Sequence, residues 1–598
     1  MSEKAATPQS LPAPASTPAD TQRAGENRKI KFIAGALLAL FLVVPLLGGT
    51  AGCAEHAKSA MAKVTGKGKH HGGHGGHGHH HKPKPSPKGF CPAQPAPLNV
   101  GDNWDPAAEE GYGLAAAQRL ARAVQINTVS YDNAPADPKD PAFDGHYKFA
   151  EYLSAEFPKV YETLQHEEVN THGHLYTWKG SNEGLKPVYL MAHEDTVPVN
   201  PETIGQWAHA PWSGDITTDE EGAPGTWIWG RGASDCKNSL VGILAAIEKL
   251  ANEGWTPERT VLIGYGFDEE ISGSRGAGPI SAIIQERYGV DSIAFLVDEG
   301  FSGVEDDVYG LRIASLGMAE KGSTSVKLTV DTLGGHSSVP PPHTGIGYIS
   351  KFITQIEEHP FKPELTEQSP YLKYLSCLSE HAPSIPGKLK KAVQNPKKWG
   401  KLAKKLAAAD LKVNAFLATT TAVDLINGGV KVNALPEVVT AVVNHRVSFV
   451  SSVNETRQHY LDVLVPYAKK LGFSVTAFGE EEERTDRHLT IESVPRGAES
   501  GLEPAPHTPA DAPPFELLAG TIKTVFGEDT IVSPTGMYAN TDTARTWRLT
   551  KHIFRFNPAR VTDGLNVHTV NERMKLDGHL STIRFYYKLL HNTAGWTD

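Results

Sequence analysis

Residues 188–199 read VYLMAHEDTVPV, and the first six, Val188 to His193, have the near-continuous apolar character of a strand buried on both faces. His193 closes that run, and Asp195 follows it by two. Two further short apolar runs end in the same way. RTVLIGYGF (Arg259 to Phe267) leads into Asp268, Glu269 and Glu270, and SIAFLVD (Ser292 to Asp298) leads into Glu299. Between the first two, NSLVGILAAIEKLANEG (Asn238 to Gly254) carries apolar residues at helical spacing and a glycine stop, with Asp235 just ahead of it. Alternating strands and helices of this kind build an α/β body.

The carboxyl ends of strands in an open α/β sheet are where ligands bind. One acid at a strand end is ordinary, and Asp235 by itself reads as a cap for the helix at Asn238. Taken together, these endings supply an imidazole and several carboxylates at one edge of one sheet. That set suits zinc, and a carboxylate-rich site can hold two such ions about 4 Å apart with a bridging ligand. His193 would be a ligand, and Asp195 would accept its other ring N–H and fix the tautomer. Ser234 and Cys236 flank Asp235 without an evident partner base, so neither reads as a nucleophile, and Cys236 reads as a buried, inert thiol.

Composition narrows the class. The chain has 598 residues, too many for one ordinary domain, and a net charge of -10 that argues against a general nucleic-acid binder. Four cysteines, Cys53, Cys91, Cys236 and Cys377, are too few for a disulfide framework; a pair between Cys53 and Cys91 is left open. Residues 1–31 read as a disordered tail. FIAGALLALFLVVPLLGGTAG (Phe32 to Gly52) is uncharged and long enough for a single-pass transmembrane helix, and Arg23, Arg28, Lys29 and Lys31 before it favour a cytoplasmic N-terminus and a lumenal body. The His-, Gly- and Pro-rich stretch that follows reads as a stalk over 53–99, with incidental metal affinity. NET at Asn454 is a glycosylation triplet on the matching side.

HEDTVPV, WGRGASDCKNSL, FDEEISGSRGA, LVDEG, GGHSSVPPPHTGIG and GLNVHTVNERM follow one another in the order and rough spacing of the di-zinc exopeptidases that include aminoacylase and carboxypeptidase S. The chain resembles that family from about residue 100 to its end, and most of all its carboxypeptidase S branch. The resemblance implies a catalytic domain with a central mixed sheet flanked by helices (100–320 and 456–598) and an inserted smaller α+β lid or dimerisation domain (321–455). It implies two zinc ions held by His193, Asp235, Glu270, Asp298 and His568, with Asp235 bridging, Glu269 as general base and Asp195 orienting His193. LVDEG offers Asp298 and Glu299 for the third carboxylate, and the resemblance favours Asp298. It further implies that His336 stabilises the oxyanion in a neighbouring subunit's site, while Arg446 and Asn433 clamp a substrate carboxylate.

SCLSEHAPSIPGKLKKAVQNPKKWGKLAKKLAAAD (Ser376 to Asp410) departs from the compact pattern with a basic helical face, read as a solvated insertion. The expected activity is a zinc carboxypeptidase on short peptides, in a vacuolar lumen and as a monomer or homodimer. An N-acyl amino-acid hydrolase is the alternative, and a metal-buffering membrane protein with an inactive body is the reading from another class.

Overall fold

A computed structural model describes residues 89–301, 303–480, 482–495 and 500–597. The anchor expected at Phe32 to Gly52, and the stalk as far as residue 88, lie outside them. Among the described residues no helix is long and apolar enough to cross a membrane.

The run Val188–His193 forms a strand with every residue buried. It lies between Val261–Gly266 and Phe295–Asp298, parallel to both, so three carboxyl ends emerge side by side. These strands sit in a nine-stranded sheet whose flanks, Gly173–Trp178 on one side and Ile313–Glu320 on the other, bring in antiparallel pairings, which makes the sheet mixed. The helix Lys237–Asn252 packs on this sheet. Leu240, Val241, Ile243, Leu244, Ile247 and Leu250 are wholly buried, and the chain leaves through Gly254 at φ 73°, a left-handed conformation that glycine adopts without a Cβ clash. A four-stranded sheet (Gly564–Leu565, Arg573–Lys575, Ala223–Trp229 and Ile216–Glu220) stands beside it and carries the loop with His568.

The strand Ile313–Glu320 passes through Lys321 into Gly322–Asp331, the centre of a second, five-stranded sheet. Alternate residues Val326, Leu328 and Val330 point inward to Ile349, Phe352 and Ile356 of the helix Gly345–Glu357 and to Tyr460 and Leu464 of the helix Val453–Lys470. Strands Ser474–Ala477 and His488–Val494 also belong to this sheet. The inserted unit therefore runs to Val494, past the expected boundary at 455. A period-2 pattern does not reveal which sheet a strand joins.

Two further expectations change. The stalk does not extend to residue 99: Cys91 is disulfide-bonded to Cys377, and Gln94 donates to the carbonyl of Val532 and accepts its N–H, both at 2.9 Å. The primary amide of Gln94 thus pairs with Val532 on the open edge of the strand Ile531–Met537, and Cys377 rather than Cys53 is the partner of Cys91. The segment 376–410 is more than a solvated insertion. Helices Pro370–His381, Gly387–Val393, Trp399–Ala409 and Leu411–Leu417 enclose an apolar cluster of their own around Tyr371, Leu375, Trp399 and Phe416, which packs on Ile313 of the central sheet.

Candidate active site

His193 is buried at its strand end, with its Nδ1 2.9 Å from the main-chain oxygen of Asp195 and 3.3 Å from Asp195 Oδ1. The other nitrogen, Nε2, faces Asp235 Oδ1 at 3.3 Å and Glu299 Oε1 at 3.2 Å and makes no hydrogen bond. Asp235 does not cap the following helix: its second oxygen lies 3.0 Å from His568 Nε2, which is also 3.1 Å from Glu270 Oε1. Asp235 therefore stands between two imidazoles, one oxygen to each.

Asp195 contributes differently. Its Oδ1 accepts the backbone N–H of Glu269 at 3.0 Å and its Oδ2 that of Glu270 at 3.1 Å, which seats both glutamates at the end of Val261–Gly266. Burial pushes the Glu269 carboxyl well above its ordinary range, with Glu299 and Glu270 adding to the effect. For Asp235 burial acts in the same direction, but the imidazoles of His193 and His568 beside it outweigh burial and hold the group low. His568 moves the other way: burial would lower its pKa, yet Asp235 and Glu270 raise it to about 11.

A divalent cation is the natural partner of such a set. The ligand atoms of His193, Asp235 and Glu270 lie within 4.8 Å of one another, and the buried His193 Nε2 is left without a partner. Two imidazoles among carboxylates fit zinc by donor type. Cys236 is close as well, its Sγ accepting the N–H of His193 at 3.2 Å, and burial raises its thiol pKa, which leaves it protonated and inert.

At the third carboxylate position the two candidates, Asp298 and Glu299, are placed differently. Glu299 reaches His193 at 3.2 Å and lines the cleft, while Asp298 is buried, its Oδ1 accepting the N–H of Glu299 at 2.9 Å and its Oδ2 without a partner among the described residues. Arg446 lines the same cleft of about 840 Å³ with Asp235, Glu269, Glu270 and Glu299, and donates to Asn540 Oδ1 at 2.7 Å. His336 and Asn433 are not among the residues that line it. They stand exposed on neighbouring stretches of the inserted unit, where the N–H of Ser337 meets the carbonyl of Asn433.

Two residues were missed. Glu572, wholly buried, accepts the N–H groups of Gly232, Ser234 and Asp235 and a hydrogen bond from Arg231, which fixes the loop that presents Asp235. Its signal was its place four residues after His568 in GLNVHTVNERM. Asn540, which lines the cleft, had no signal: its Oδ1 accepts from Arg446, and its Nδ2 donates to the carbonyl of Lys321 at 2.5 Å.

Residues 189–592 match the sequence pattern of peptidase family M20/M25/M40, a span that holds every residue of this cluster. The chain belongs to that family. It is an M20 metallo-exopeptidase. Among similar proteins, carboxypeptidase S of Saccharomyces cerevisiae is 38% identical over 494 residues, 79% of this chain and 83% of the relative. The N-fatty-acyl-amino acid synthase/hydrolase PM20D1 of Mus musculus is 32% identical over 493 residues, 81% of this chain and 89% of that one. The fold is shared with the M20 metallo-carboxypeptidase Sso-CP2 of Sulfolobus solfataricus, at TM-score 0.53 and 20% identity over 80% of this chain and 98% of the other.

Proposed function

We propose that this M20 enzyme is a carboxypeptidase that cleaves the amide bond before a free C-terminal amino acid in short peptides, with His193, Asp235, Glu270, Glu299 and His568 holding two zinc ions. The observation that carries the reading is that Arg446 shares one cleft with the carboxylate and imidazole cluster. A planar guanidinium beside a hydrolytic centre matches a substrate that ends in a carboxylate. Carboxypeptidase S, by its name, has that activity.

Bound there, the ions would lower the pKa of a water toward neutrality and polarise the scissile carbonyl. Glu269 takes the proton of the attacking water and delivers it to the leaving amine, one carboxylate serving first as base and then as acid. Its raised affinity for protons suits that task, and Asp195 holds it in place. Arg446, steadied by Asn540, fixes the substrate's terminal carboxylate so that the scissile bond meets Glu269.

A second reading rests on the same clamp. Phe301, Leu502, Met537, Val561 and Val567 give the cleft an apolar wall on which an acyl chain can lie, and PM20D1 is named for N-fatty-acyl amino acids. Hydrolysis of a blocked Gly-Leu dipeptide beside N-fatty-acyl leucine, with and without chelator and with Glu269→Gln, tests both. Chelator-sensitive cleavage of the dipeptide, lost in the variant, is the expected result; preference for the acyl substrate moves the reading to the second, and no cleavage of either by zinc-loaded protein overturns both.

Two matters of setting belong to the same proposal. The body occupies an oxidising lumen such as that of a vacuole, since the Cys91–Cys377 disulfide and the charge asymmetry around Phe32 to Gly52 both favour the non-cytosolic side. The enzyme works as a homodimer, supported by exposed Leu425, Ile426, Val430, Val432 and Val438 on and beside the edge strand Thr420–Gly428, near His336 and Asn433 in sequence and pairing.

A further inference from the structure

The loop that carries Glu269 and Glu270 turns sharply at Ser272. The two glutamates open the single-turn 3-10 helix Glu269–Ile271, and Ser272 ends it at φ 101°, in the left-handed region that a residue with a Cβ seldom occupies. A conformation of that kind persists only where neighbours impose it. Asp195 holds the front of the loop through the N–H groups of Glu269 and Glu270. Asp268 holds the far end, accepting the N–H groups of Arg275 and Gly276, both at 2.8 Å. Between them the turn is held by Arg545, whose Nε and Nη2 donate to the carbonyl of Ser272 at 3.1 and 2.9 Å.

Arg545 is itself presented from a fixed place. It closes the 3-10 helix Asp542–Arg545, and just ahead of it the hydroxyls of Thr541 and Thr543 donate to the buried carboxylate of Glu320 at 2.7 and 3.1 Å, which Arg555 also reaches. Asn540, the partner of Arg446, immediately precedes Thr541. The side chain of Arg545 is exposed and lines the cleft, so it could touch the substrate or support the loop. Two of its donors converge on one main-chain oxygen three residues past Glu269, which favours support. We propose that Arg545 is a positioning residue for Glu269: it locks the Ser272 turn and so sets the carboxylate where it can take the proton of the attacking water. Misplacing a reacting group by about 1 Å costs on the order of 100-fold in rate. The inference rests on the reading of Glu269 as general base.

The test compares wild type, Arg545→Ala, Arg545→Lys and the double variant Arg545→Ala, Ser272→Gly, with the faster of the two substrates, blocked Gly-Leu or N-fatty-acyl leucine. Arg545→Ala is expected to lower kcat about 10- to 100-fold with KM and zinc content unchanged. Amide hydrogen exchange over residues 268–273 should quicken at least about fivefold. Glycine reaches φ 101° without a Cβ clash, so the double variant should recover at least about threefold in kcat over Arg545→Ala. Unchanged kcat or exchange, a loss confined to KM, zinc lost in proportion to activity, or a double variant no faster than Arg545→Ala each overturns the inference. If Arg545→Ala does not fold, Arg545→Lys, which keeps the charge but not the paired donors, decides by the same kcat and exchange measurements. Glu269→Gln run beside them keeps the two readings apart. An active Glu269→Gln enzyme sinks the base reading, whereas an inactive one beside a fully active Arg545→Ala sinks this inference alone.

Discussion

Asp195 Oδ1 accepts the backbone N–H of Glu269 at 3.0 Å, so the residue expected to orient the histidine also seats the proposed general base. The ring N–H of His193 has the main-chain oxygen of Asp195 at 2.9 Å, nearer than the carboxylate at 3.3 Å. A substitution that keeps the main chain should therefore leave His193 in place. Asp195→Asn turns one acceptor into a donor facing an N–H group, and kcat is expected to fall about 10- to 100-fold with zinc content intact. Turnover with metal analysis of the same samples checks this; a proportional loss of zinc would return the residue to a role in holding the histidine.

Glu299 and Asp298 are separable. Glu299→Gln removes a charged oxygen 3.2 Å from His193 Nε2 and is expected to lower bound zinc toward one ion per chain. Asp298→Asn changes a buried group whose recorded hydrogen bond is to the N–H of Glu299, and metal content should hold. Equilibrium dialysis with zinc distinguishes them, and the reverse pattern would restore Asp298 as the ligand.

Arg446→Ala should cost about 10- to 100-fold in kcat/KM toward substrates with a free C-terminal carboxylate, the worth of a charge-assisted hydrogen bond or a bidentate pair. Toward the same peptide with an amidated end, wild type and variant should be nearly equal. Equal losses on both substrates would mean that Arg446 supports the fold of the cleft instead.

Glu194, between His193 and Asp195, points away from the site to His146 Nδ1 at 2.6 Å and His174 Nε2 at 3.5 Å. Burial would raise its pKa, but the hydrogen bond with His146 and the neighbouring ring of His174 hold it at about 2, against an ordinary 4.5. A carboxylate depressed in the folded state contributes stability that is full above about pH 4.5 and is lost as pH falls through about 2, on the order of 3 kcal/mol here. Glu194→Gln should flatten the pH dependence of urea unfolding in that window; an unchanged slope would exclude the network as its source.

If His336 serves a neighbouring subunit, mixing inactive His336→Ala with inactive Glu269→Gln should restore part of the activity, because one hybrid site is then intact. Sedimentation of the mixture should show dimers. Two inactive variants that stay inactive when mixed, or a monomer with full activity, would count against the shared site.

The sequence by itself determined the local chemistry. Val188 to His193, the helix after Asp235 and the acidic ends of two more strands were legible because burial on both faces leaves a continuous apolar run, and because a polar group at its tip has a ligand as its simplest partner. The order of the motifs carried the family, and with it the histidine at 568, which no local pattern would have joined to His193. Tertiary structure alone decided what depends on direction and on distant partners: that Glu299 reaches His193, that Cys91 meets Cys377 across 286 residues, that Asn540 braces Arg446, and that two strands beyond residue 455 complete the inserted sheet. Periodicity reports which side of an element is buried; it carries no record of what lies against that side, because the partner comes from elsewhere in the chain.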